Sequence, residues 1–138
     1  MSDLELCYLP ATEAIARFKA KTLSPVELLN TLITRAQEIE PVINAFTYRH
    51  FEEAMDGAQK AEAKYASGKR TGALEGLPIG IKDESYIKGK PTSNGSLIMK
   101  DFVAQTTSVG NERILRAGGI VHARTATPEF SSAGYTHS

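Results

Sequence analysis

Lys82 is the residue most able to do chemistry. It closes the short apolar run Leu77-Pro78-Ile79-Gly80-Ile81-Lys82-Asp83, in which Ile79 and Ile81 share one face and Lys82 takes the other. A lysine on a buried strand loses solvation, and desolvation favours the neutral amine, which is a base. The same position also admits a lysine that reaches solvent at the strand end and pairs with Asp83 or Glu84. Ser93 and Ser96 follow within a turn-rich stretch, where serine routinely caps loops and turns. His50, His122 and His137 lack the spacing of a metal site, and His122 reads as a core or edge histidine on an apolar strand. A single cysteine, Cys7, provides neither an internal disulfide nor a thiolate cluster. No G-x-S-x-G elbow, P-loop or G-x-G-x-x-G is present, so neither a Ser-His-Asp hydrolase nor a nucleotide site is signalled. Asn94-Gly95-Ser96 fits a glycosylation sequon but reads as a turn.

The elements around Lys82 fall into two stretches. Residues 1–68 read as helices and residues 69–138 as the start of an α/β core. Ala11, Ala14, Ile15 and Phe18 share one helical face. Ser24-Pro25-Val26-Glu27 is a helix start: Ser24 caps, Pro25 fits the first position and Glu27 closes a capping box. Leu29, Leu32, Ile33, Ala36 and Ile39 continue that helix, and Pro41 is expected to stop it. An Ala-rich stripe, Ala54, Ala58 and Ala61 with Phe51, Met55 and Tyr65, predicts a third helix over 49–67, ended by Gly68. Past the linker Lys69-Arg70-Thr71-Gly72, a strand near 77–83, a helix over 108–117 and a strand over 120–123 form one parallel βαβ unit.

The chain has 138 residues, sixteen Lys plus Arg against sixteen Asp plus Glu, and no apolar run near membrane-spanning length. Zero net charge argues against non-specific nucleic-acid binding. An acidic start, Met1-Ser2-Asp3-Leu4-Glu5, argues against a signal peptide, so the expected location is cytoplasmic. Two parallel strands need cover and further neighbours. The loop-like ending Ser131-Ser132-Ala133-Gly134-Tyr135-Thr136-His137-Ser138 points the same way, to an incomplete fold.

The segment Gly76-Leu77-Pro78-Ile79-Gly80-Ile81-Lys82-Asp83 resembles the G-x-P-x-x-x-K-D motif of the amidase signature family. Thr92-Ser93-Asn94-Gly95-Ser96 resembles its T-x-x-G-S loop, and Leu115 to Val121 its L-R-x-A-G-A-I segment. Thr125-Ala126-Thr127-Pro128-Glu129-Phe130 resembles part of its G-K-T-N-x-P-E-F segment. Leu23 to Leu28 and Ile43 to Phe46 are similar to its N-terminal helices. Six matches in order span nearly the whole chain.

The resemblance implies an α/β/α fold and amide hydrolysis or transfer by a Ser-Ser-Lys triad. Lys82 would be the base, a bridging serine would relay the proton, and a second serine would be the acyl nucleophile. Both serines belong to a G-G-S-S-G-G segment after P-E-F, so their roles are not carried over to Ser131, Ser132 or Ser138. Arg124 and Ala126 stand where the family has lysine and asparagine, and Asn111 where aspartate is common. The expectations are an amidase that needs no cofactor or metal, acting on small-molecule amides, with Lys82 largely buried in the complete enzyme. Neither a membrane nor a nucleic acid is an expected partner, unless the chain resembles the amide-hydrolysing component of a glutamyl- or aspartyl-tRNA amidotransferase. The other alternative is a truncated module without catalysis. The chain alone is expected to be inactive and to self-associate through its open sheet.

Overall fold

The structure, a computed structural model, describes residues 2–136. His137 and Ser138, weighed above as a metal ligand and a serine, lie outside the described residues. Four helices pack in the first half: α1 (Asp3–Cys7), α2 (Ala11–Ala20), α3 (Pro25–Ile43) and α4 (Phe51–Ala66). The remaining elements are β1 (Phe46–Arg49), β2 (Pro78–Lys82), α5 (Val109–Arg116) and β3 (Ile120–Thr125).

Helix α3 begins as the capping pattern predicts. The Ser24 hydroxyl accepts from the Val26 amide at 2.9 Å, and the Glu27 side chain reaches back to the Ser24 amide. Replacing Ser24 by Ala is expected to cost about 0.5–2 kcal/mol, read as a shift of the denaturation midpoint. An unchanged midpoint would remove the cap from the account. Pro41 does not stop the helix; it lies inside, and α3 ends at Asn44, which takes a left-handed conformation. So near the helix end, the proline forfeits little beyond one bond to the carbonyl four residues back.

The alanine stripe on α4 is buried as its spacing predicts: Ala54, Ala58 and Ala61 are each 1% exposed or less. These small side chains let α3 approach closely, and Leu29 packs with Ala54, Ala58 and Ile120 of β3. A second cluster joins Phe18 of α2 to Leu23, Leu28 and Tyr65, with the Phe18 and Tyr65 rings 5.8 Å apart.

Strands β2 and β3 pair in parallel through α5, as the βαβ reading expects. Two elements were not anticipated. Helix α1 is a single short stretch capped by Ser2 and Glu5. Strand β1 runs from Phe46, the last residue of a segment matched above to helices, to Arg49, the expected start of the third helix; it pairs antiparallel with β3, giving the order β1-β3-β2. That pairing displaces the start of α4 from 49 to Phe51 and puts β3 at the centre.

Candidate active site

Lys82 is the last residue of β2 and sits opposite Thr125 of β3. Its amine lies 3.3 Å from the Ser131 hydroxyl and 3.5 Å from the Glu84 carboxylate. The side chain is 43% exposed, so in this chain Lys82 reaches solvent and pairs with Glu84, the second of the two readings open for it.

Asp83 is wholly buried. Its carboxylate accepts from the Ser93 amide at 3.1 Å and the Ser93 hydroxyl at 2.5 Å. Its amide donates to the Thr125 carbonyl, and its carbonyl accepts from the Asn94 amide, both at 2.9 Å. Asp83 therefore fastens the 92–96 loop to the end of the sheet. Ser93 and Ser96 have the capping roles expected of them: Ser96 accepts from the Ile98 amide and donates to Glu129 at 2.7 Å. Gly95 allows this contact. Its φ is +64°, and a Cβ there would stand 2.4 Å from the Thr127 carbonyl.

The Thr-Pro-Glu-Phe segment closes the group. The Phe130 amide donates to the Asn94 carbonyl at 2.8 Å. Phe130 and Ser131 both take positive φ, a sharp turn that brings the Ser131 hydroxyl to Lys82 and to Thr127 Oγ1, 3.0 Å away. Three of the matched motifs thus meet at one end of the sheet. The sequence does not point to Ser131, because nothing in its neighbours signals two successive left-handed residues.

Arg124 is fully buried behind Lys82, 3.7 Å from the Asp83 carboxylate. Burial pulls the guanidinium pKa down and Asp83 opposes that pull. Tyr48 of β1 faces the same charges, and burial, reinforced by Asp83, pushes its phenol up. Asn111, the aspartate departure, donates from its amide to Ser85 Oγ at 2.8 Å and to the Tyr86 carbonyl at 2.9 Å. An ionised aspartate would offer no donor there. His122 stacks on Phe51 and meets Phe46 edge-on, the core role expected of it. Burial lowers the pKa of His122 and of His50.

The amidase family model matches residues 27–138. The chain belongs to the amidase family. It is 33% identical to the A-type component of the glutamyl-tRNA(Gln) amidotransferase of Gloeothece citriformis over 118 residues, covering 86% of this chain and 24% of that one. It is equally 33% identical to an acylamidase of Rhodococcus erythropolis, covering 99% of this chain and 28% of the relative. The amidase chain thus spans about a quarter of the length of these relatives. Among solved structures, a bacterial aryl acylamidase of the amidase signature family superposes with a TM-score of 0.82 at 25% identity, over 88% of this chain and 26% of that one. A fatty acid amide hydrolase shares the fold, with a TM-score of 0.84 at 24% identity, over 91% and 22%. Members of this family are amide hydrolases at the family level. The mixed α/β architecture is a partial amidase fold.

Proposed function

We propose that residues 1–138 are the N-terminal part of a single amidase signature domain, and that Lys82 is the base of its amide-hydrolysing triad. The meeting of the Lys82, Asn94 and Ser131 segments at one end of the sheet supports this reading. In the proposed reaction Lys82 accepts a proton, through a bridging serine, as the nucleophilic serine attacks the amide carbonyl. The acyl-serine then forms and the amine departs with a proton. Both serines are placed beyond residue 138. The setting is cytoplasmic and the substrates are small-molecule amides. Among the described residues no helix is long and apolar enough to cross a membrane.

Ser131 touches Lys82, but its own amide and those on either side of it are already engaged. The Phe130, Ser131 and Ser132 amides already donate to the Asn94, Pro128 and Glu129 carbonyls. None of these three is free to hold an oxyanion. A fluorophosphonate tests this directly, since an activated serine attacks phosphorus and expels fluoride. The chain alone is expected to gain no mass. A Lys82-dependent adduct on Ser96, Ser131 or Ser132 would overturn the placement of the nucleophile.

The amidotransferase-type reading is supported by a relative of the same 33% identity as the acylamidase. Ammonia release from glutamine, against release from aryl amides, separates the two in the longer enzyme. Self-association is part of the proposal. Strand β2 lies at the sheet edge, and Leu97 and Ile98 are 87% and 86% exposed. An open sheet edge is a template for a second chain, and exposed apolar side chains add to the surface that association would cover. Light scattering is expected to give a mass above 14.9 kDa. A stable monomer would contradict it.

A further inference from the structure

The Lys82 side chain is not held by packing; its two polar partners, Ser131 and Glu84, are themselves exposed. Where its amine sits therefore depends on the backbone from which it springs. Besides its pairing with β3 and the Ser85 amide, that backbone is held from behind by the Arg124 side chain. Arg124 Nε donates to the Ile81 carbonyl at 3.3 Å, and Nη2 donates to the Lys82 carbonyl at 3.2 Å and the Ser85 carbonyl at 2.5 Å. The guanidinium and the Asp83 carboxylate are both wholly buried.

We propose that Arg124 is a positioning residue for Lys82, fixing the backbone on both sides of the base and, through Asp83, the loop that completes the site. The connections form a closed circuit. Asp83 holds Ser93 and Asn94, Asn94 holds Phe130, and Ser131 returns to the Lys82 amine. Arg124 stands at its hub. Two features suit arginine to this place. Its planar fork presents donors to separated carbonyls at once, which a single ammonium does not, and its fixed charge balances Asp83. Without these donors the Lys82 carbonyl would keep only the Ser85 amide, 3.2 Å away, and the side-chain tie across Ile81, Lys82 and Ser85 would be gone, so the turn would loosen where the base begins.

This inference rests on the reading of Lys82 as base, but its test needs no turnover. Amide exchange is compared at Asp83 and Asn94, whose N–H groups bond to the Thr125 and Asp83 carbonyls, and at Ala58 in the core of α4. In Arg124→Met, exchange at Asp83 and Asn94 is expected to rise about tenfold more than at Ala58, the weight of one hydrogen bond to a charged group. Trinitrobenzenesulfonate modification of Lys82, normalised to Lys69, is expected to change with it. Arg124→Lys keeps the charge but not the fork, and is expected to show the same local rise, smaller in size; it is read in the same way if Arg124→Met fails to fold. Exchange that rises equally at all three amides, or stays unchanged at Asp83 and Asn94 with Lys82 modified as before, would overturn the positioning role. That result would leave the base assignment to its own turnover test.

Discussion

Asp83→Ala is expected to destabilise the chain by about 3–5 kcal/mol, the range for breaking a buried ion pair by removing one partner. The carboxylate and the Arg124 guanidinium have no exposed surface. Removing the carboxylate leaves a positive charge buried without its counter-charge. Arg124 Nη1 already has no hydrogen-bond partner among the described residues, so the guanidinium has little means to compensate. The Ser93 amide and hydroxyl lose their acceptor at the same stroke, which leaves the 92–96 loop tied to residue 83 by the Asn94 amide alone. Domains have only about 5–15 kcal/mol to lose, so a substantial fraction of the molecules should unfold under mild denaturant. Urea titration is the measurement. A midpoint indistinguishable from that of the parent chain would mean that the buried pair is not what holds this end of the sheet.

Much of this arrangement was legible, and the reasons are local. The Ser24 cap, the Pro25 start and the Ala54, Ala58 and Ala61 stripe are set by neighbours within two helical turns, so spacing alone reveals them. The alternation along β2 sets Ile81 and Lys82 on opposite faces, and in the structure Ile81 is buried and Lys82 exposed. Strand β1 was not legible. It has four residues, three of them half-buried and Arg49 exposed, whose partners on β3 lie more than seventy positions away, and no local pattern encodes such a pairing. Helix α1, five residues long, carries its signal only in Ser2 and Glu5.

The site divides in the same way. Lys82 stood out through its motif, and its contact with Ser131 did not, because that contact depends on a left-handed turn at two residues with side chains. Arg124 was visible only as a departure from the family pattern. Its partners Ile81, Lys82, Asp83 and Ser85 converge on it through parallel pairing of two distant strands. Reading the residue types singled out the lysine proposed as base; the contacts around it required the tertiary structure.

The central claim is that Lys82 is the base, and turnover by the longer enzyme tests it most directly. A hydroxyl is a weak nucleophile at neutral pH, and a positioned base contributes about 10²–10⁴-fold to the rate. Lys82→Ala removes the amine but leaves the buried pair of Asp83 and Arg124 in place, so the fold should survive while catalysis does not. Lys69, in the exposed linker after α4, serves as the control. The measurement is amide hydrolysis by the full-length protein, with Lys82→Ala and Lys69→Ala assayed beside it. The account predicts a loss of about 10²-fold or more for Lys82→Ala and parent-like turnover for Lys69→Ala. Near-normal hydrolysis by Lys82→Ala would contradict it.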